Sequence, residues 1–426
     1  MFIQCGLNNS VQRFYWDDKI NPKEKPILVS SAFSIQFFIG ILVLIISSCS
    51  LLLLSNFYSI QQLLFSWVSL GAAIVLMVFK IWFVYVLDIT RLHLAPYRFL
   101  IISLASRVSS SILGCLVVVI IGWGLDGFLF VQAAVMVVIF PFACFLIRKD
   151  LTLKINKDWC IETFKYGYPF IFAGIAFWLL GTIDRWMLTA FTSLEEVSIY
   201  SVAFRFSSII LFITTAFGMA WGPISIKIKS DNPSRYKKLY ADLLELFLYA
   251  ILIVSGVVGL FSSEIIDLLM NKEYSKSALA LVLLSFGVGL YGTQQITAIG
   301  ISIEKKTSLF SHVAWLSLIL NIILNYFLII PYGSVGASFA TLISYLFITC
   351  TYLYFSEKLH KIPFNKSRLL SLVFMGFFVL LMGLYFCSHH FSIKLILIKL
   401  SIILGFSFLG YRVLKINPNF SFKLHR

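Results

Sequence analysis

Residues 164–191 read FKYGYPFIFAGIAFWLLGTIDRWMLTAF. From Gly167 to Ala190 the stretch is predominantly apolar and long enough to cross a bilayer, which takes roughly 17–25 residues. Asp184 and Arg185 stand side by side near one end of it. The run therefore reads as a membrane helix that keeps an acid and a base where charge is costly.

Runs of the same kind fill the chain. Twelve are legible, at about 27–54, 61–87, 99–121, 125–147, 167–190, 198–226, 240–262, 277–301, 308–330, 334–355, 369–388 and 394–414. Of 426 residues, 60% are hydrophobic and 12% charged, about half the charged share of a soluble domain. The fold class expected is an all-α polytopic membrane protein of about 12 transmembrane helices. No break between runs exceeds about twenty residues, so function must reside in the helix bundle. The opening stretch MFIQCGLNNSVQRFYW is only briefly apolar before it meets charge, unlike a secretory signal.

The formal net charge of +15 raises nucleic acid as a partner. Its distribution argues otherwise. When the breaks are assigned alternately to the two sides, 26 of the 34 Lys and Arg fall on one side, three on the other, and five within helices. By the positive-inside rule both termini are cytoplasmic and the helix count is even. The basic balance is thus topology, and no nucleic acid is expected. Seven cysteines stand singly, mostly in apolar runs, with no ligand spacing. His389 and His390, in an outer loop, read as a solvated turn, so neither metal nor cofactor is expected.

The five cations within helices are Lys80, Arg107, Arg185, Arg205 and Lys399. Each must snorkel, pair or face water. Lys399, a turn or two inside its helix, is expected to snorkel. Arg107 has Ser103, Ser106, Ser109, Ser110 and Ser111 around it, a polar face suited to a wet interior. Asp184, Arg185 and Arg205 lie at similar depth on consecutive helices, an arrangement open both to an ion pair between neighbours and to leftover positive charge awaiting an anionic ligand. Asp184 is the one acid placed well inside a run; Asp126, Asp242 and Glu245 are placed in first helical turns, which tolerate acids. Asn321 and Asn325, one turn apart, share a face from which amides can bond across helices. Pro331 and Gly333 mark a tight outer turn leading to Gly336 and Ala337, and Pro223 marks a kink or helix end.

Three stretches together, 164–191, VSIYSVAFRFSSIILFITTAFGMAWGPISIK (197–227) and LNIILNYFLIIPYGSVGASFATLISYL (320–346), resemble in order and spacing the Wzx-type polysaccharide flippases of the multidrug/oligosaccharidyl-lipid/polysaccharide exporter superfamily. The resemblance covers most of the chain. It implies two lobes of six helices facing each other across a cavity that opens alternately to either side, in some members with two further C-terminal helices. GLNNSVQRFYW (6–16) resembles the end of the family's second helix. On that mapping the first helix and most of the second are absent. The expected division is then 1–155 (a truncated first lobe with four transmembrane helices), 156–362 (a second lobe with six) and 363–426 (two additional helices).

The activity implied is translocation of undecaprenyl-diphosphate-linked oligosaccharide repeat units across the cell inner (cytoplasmic) membrane for O-antigen, capsule or exopolysaccharide synthesis. Candidate substrate-binding residues are Arg13, Lys80, Arg107, Asp184, Arg185, Arg205, Asn321 and Asn325, with Asp184 restraining Arg185. The partners implied are the lipid-linked oligosaccharide and membrane lipids, and a polysaccharide polymerase and chain-length regulator are admitted. The alternatives are a cation-coupled multidrug exporter of the same superfamily and a non-functional truncated product. An enzyme is not expected, because no nucleotide-sugar site, phosphate loop or pair of catalytic carboxylates appears.

Overall fold

The computed structural model describes residues 4–17, 20–57, 66–93, 96–152, 154–387 and 392–414. His389 and His390 lie outside them. Among the described residues all regular structure is helical, and the chain divides into two compact units, Met1–Phe172 and Ala173–Arg426.

The first unit begins with the short α1 (Leu7–Tyr15), followed by α2 (Lys25–Phe57), α3 (Trp67–Leu92), α4 (Pro96–Leu116) and α5 (Gly124–Leu146). One π-helical turn, Val117–Ile121, extends α4. Then α6 (Lys157–Gly167), α7 (Pro169–Leu180) and α8 (Ile183–Phe191) form one 35-residue apolar stretch interrupted at its glycines and carried across the boundary between the units. Pro169 opens α7, where its missing N–H costs nothing. α1 packs on α6 through Gly6, whose φ is +62° and which lies so close to the carbonyl of Gly167 that no Cβ would fit.

The second unit continues with α9 (Leu194–Asp231), α10 (Tyr236–Leu260), α11 (Ser262–Leu269), α12 (Ser277–Gly292), α13 (Gln294–Thr297), α14 (Ile299–Ile303), α15 (Ser308–His360), α16 (Lys366–Phe386) and α17 (Ile393–Leu414). α12 is buried along nearly its whole length, with Leu281, Val282 and Leu284 at its centre. Elsewhere Phe38, Phe212, Phe327, Phe374 and Leu404 are among many large apolar side chains left exposed. Exposure on that scale is tolerated when the solvent is lipid.

Among the described residues eleven helical stretches are long and apolar enough to span a membrane. One of them, α15, has 53 residues. At 1.5 Å per residue that is about 80 Å, far more than one crossing of a core about 30 Å thick. It folds back at Gly333 (φ 53°, ψ −130°), and the Ser317 hydroxyl donates to the Ser344 carbonyl across the fold at 3.0 Å. With α15 counted as two limbs, the candidate spans among the described residues number twelve, the number the sequence implies. Glu196 of α9 fixes the turn, its carboxylate accepting the Ser334 N–H at 2.7 Å in the space a Cβ on residue 333 would fill.

One open alternative is narrowed and two sequence expectations are corrected. α9 runs through Pro223 and continues to Asp231, so that proline does not end the helix. Neither Asp242 nor Glu245 is in a first turn, because α10 starts at Tyr236; Glu245 lies well inside it, buried and paired with Arg368 of α16 at 3.1 Å. Lys399 does not snorkel. It is 1% exposed and donates to both carboxylate oxygens of Glu264, at 2.6 and 2.8 Å. A snorkelling lysine needs a free path to water, and α11 closes that path with an acid.

These two pairs, with the Tyr249 hydroxyl donating to the Ser407 carbonyl at 2.7 Å, fasten α16 and α17 to α10 and α11. Removing one partner of a buried pair leaves the other uncompensated, at a cost of about 3 kcal/mol. Lys399→Met is therefore expected to lower the melting temperature of purified protein, and the double variant Lys399→Met/Glu264→Leu to recover most of the loss. Equal melting of the single variant and wild type would show that the pair does not hold these helices.

Candidate functional site

The opening stretch places Asp184 in the first turn of α8, where it is 2% exposed. Partners from two other helices surround it. Asn325 donates to Oδ1 at 2.6 Å, while the Tyr200 and Thr341 hydroxyls donate to Oδ2 at 2.5 and 2.8 Å. The second amide hydrogen of Asn325 goes to Asn321 Oδ1 at 2.9 Å. The sequence explains the meeting. Asp184 stands seven residues before Phe191 and Tyr200 six after Leu194; Asn325 stands eight before Gly333 and Thr341 eight after it. Two hairpins whose members sit at nearly equal distances from their turns bring these side chains to one depth.

No cation takes part. Adjacent residues on a helix do not face each other, and Arg185 turns away from Asp184. Its guanidinium donates to the Gly181 carbonyl at 3.1 Å and lies 4.7 Å from the Phe204 ring centre. Arg205 is exposed on α9 and has no ion-pair partner among the described residues. The expected restraint of Arg185 by Asp184, and the ion pair with a neighbouring helix, are therefore absent. Asn321 and Asn325 are fully buried within the same cage. Sequence reading missed Tyr200 and Thr341, although their distance from the turns could have marked them.

In the first unit the expected residues separate into two kinds. Arg13 on α1 is buried and pairs with Asp17 at 3.3 Å. Lys80 and Arg107 are exposed and unpaired among the described residues. They share a depth: Lys80 lies twelve residues before the end of α3 and Arg107 eleven after the start of α4, the two helices being joined by a short connection. Both are thus about 17 Å from that shared end, near the middle of a bilayer core. Ser110 and Ser111 flank Arg107 without being buried, whereas Ser106 packs inward against Met136. The polar face predicted around Arg107 exists, turned outward from its own unit.

Comparison with known proteins follows this geometry. Residues 1–229 match the model of the family described as polysaccharide biosynthesis protein, and residues 169–327 match that of the MatE family. A probable low-salt glycan biosynthesis flippase, Agl15 of Haloferax volcanii, is 22% identical over 208 residues, 48% of this chain and 44% of its own length. An uncharacterized membrane protein of Methanocaldococcus jannaschii is 26% identical over 265 residues, 59% of this chain and 50% of its own length. The chain spans about half the length of these curated relatives. The fold is similar to that of a mutant form of the Vibrio cholerae MATE transporter VcmN, with a TM-score of 0.71, 15% identity and 84% coverage of both chains. It is also similar to a MATE protein in the straight conformation, with a TM-score of 0.68, 13% identity and coverage of 87% of this chain and 85% of the other.

The Asp184 cage is a carboxylate held by neutral donors alone. Its charge has no partner among the described residues, and a proton or a small cation would supply one. The donors also depend on the acid, because each buried hydrogen-bonding group left unpaired costs about 1–3 kcal/mol. Asp184→Leu is expected to destabilise the protein by several kcal/mol, and Asp184→Asn, which retains an acceptor oxygen, by clearly less. Thermal melting of both variants in detergent checks this ranking, and equal losses would contradict it.

Proposed function

This chain belongs to the polysaccharide biosynthesis protein family, and from that premise we propose that it flips undecaprenyl-diphosphate-linked oligosaccharide repeat units. The movement is from the inner to the outer leaflet of the cytoplasmic membrane, by alternating access, and serves O-antigen, capsule or exopolysaccharide assembly. The observation that carries the reading is the pair Lys80 and Arg107, exposed, unpaired among the described residues and level with each other at mid-membrane depth. Cations at that depth are retained where they meet water or an anion. A diphosphate passing through supplies the anion, and Arg185 and Arg205 of the second unit supply further positive charge. The glycan flippase among the relatives supports a sugar-bearing cargo. A polysaccharide polymerase and a chain-length regulator are the natural partners of such a step.

A second reading, a cation-coupled drug exporter, is favoured by one feature. The caged Asp184 is a buried carboxylate of the kind that carries a coupling ion, and the fold is shared with MATE transporters. Fold alone does not choose between cargoes.

The two readings part in cells. Hydrogen bonds to charged groups are worth about 1.5–3 kcal/mol, or roughly ten- to hundredfold each. Arg107→Ala and Lys80→Ala are expected to reduce surface polysaccharide and to accumulate complete lipid-linked repeat units on the cytoplasmic side, at unchanged protein abundance. Unchanged surface glycan in the double variant, together with efflux of a cationic dye dependent on this chain, would replace the flippase with the exporter.

A further inference from the structure

Three helices of the first unit, α3, α4 and α5, meet at one end in a cluster of polar and charged side chains. A pocket of about 160 Å³ opens there, lined among others by Thr90, His93, Arg98, Leu146, Lys149 and Asp150. At about 30 Å³ per water it has room for roughly five waters, and so for one tetrahedral oxyanion. None of these residues belongs to the set considered above.

The charges in the pocket are unequally engaged. Asp150 is held by His93, whose Nε2 lies 2.9 Å from its carboxylate, and the Tyr15 ring stacks edge-on against that imidazole at 5.7 Å. Burial, with Asp150 beside it, pushes the Tyr15 phenol up to about 12, so the phenol remains neutral. The Thr90 hydroxyl donates back to the Leu87 carbonyl. Arg98 and Lys149, by contrast, have no hydrogen bond or ion pair among the described residues. Arg98 stands in the first turn of α4, where the leading N–H groups have no helical partner and the helix end is partially positive. The facing ends of α3 and α5 are closed by backbone bonds from His93 to Ile89 and from Ile147 to Cys144. The pocket's two unengaged cations, Arg98 and Lys149, are donors, while Asp150 is engaged through Oδ2 by His93.

Beyond the pocket an apolar track continues along each helix, beside the polar face of Arg107 on α4. Ile101, Leu104 and Val108 continue along α4, and Phe145, Phe142 and Val138 along α5, all of them exposed. Tyr97, 79% exposed, stands at the level of the pocket, as interfacial aromatic residues do.

We propose that this pocket binds the phosphate of a membrane lipid, with Arg98 and Lys149 holding the oxygens and the lipid chains lying on the apolar tracks of α4 and α5. Basic pockets between helices at a membrane surface recognise anionic headgroups in this way. The inference does not depend on what the chain transports. Two lipids carry the required group, a bulk anionic phospholipid and a polyprenyl diphosphate.

The test uses the full chain purified in detergent, with melting followed as phosphatidylglycerol, phosphatidylcholine, undecaprenyl diphosphate or inorganic phosphate is added. Wild type is expected to be protected by phosphatidylglycerol or undecaprenyl diphosphate and not by phosphatidylcholine, and the more potent lipid identifies the source. The double variant Arg98→Gln/Lys149→Gln is expected to melt like wild type without lipid, since both side chains are exposed and unpaired among the described residues. Its apparent affinity for the protecting lipid should fall about thirtyfold, as expected for two cations at a membrane surface. Protection that survives in the double variant, or that inorganic phosphate reproduces in full, or that is absent from wild type with every probe, overturns the proposal.

Discussion

A carboxylate taken into a membrane bundle persists only where donors reach it, and the donors of Asp184 come from α9 and from both limbs of α15. The second unit is arranged to permit this. α8 and α9 turn back on each other at Thr192 and Ser193, and α15 turns back at Gly333. Glu196 ties the two turns together by accepting the Ser334 N–H. Because an unpaired polar group costs more in hydrocarbon than in a soluble core, such bonds specify how the helices are packed where apolar contact against lipid-like neighbours does not.

The same reasoning sorts the cations. Lys399 and Arg368 have acids, Arg185 has a carbonyl and an aromatic face, and Arg13 has Asp17. Lys80, Arg107 and Arg205 have none of these among the described residues. Cations paired with acids are parts of the scaffold, so their removal should act on stability. Unpaired cations contribute no such bond, and the proposed function assigns them to the cargo. The polysaccharide biosynthesis family and the MATE-like fold agree with a transporter built on such a scaffold.

Legibility from sequence followed the range of the interactions. Hydrophobic run length gave twelve crossings because the bilayer core imposes it on each helix separately. The i, i+4 spacing of Asn321 and Asn325 gave a shared face, and the two amides bond each other. Pro331 and Gly333 gave the turn, for reasons local to the backbone. Pro223 left a kink or a helix end open, and the helix continues, because a proline that would break an isolated helix is tolerated where neighbouring helices support the chain on either side.

What the sequence determined by itself was therefore the apolar runs that become helices and the list of charges each one carries. Only the tertiary structure decided which partner each charge has. Asp184 and Arg185 are neighbours in sequence, but successive helical side chains point in different directions, and the acid closes on Asn325 and Thr341, 141 and 157 residues away. Lys399 reads as a side chain near enough to water to escape, yet its path is closed by Glu264, 135 residues earlier. Contact between helices is set by how they pack, and no local pattern in a single chain records it.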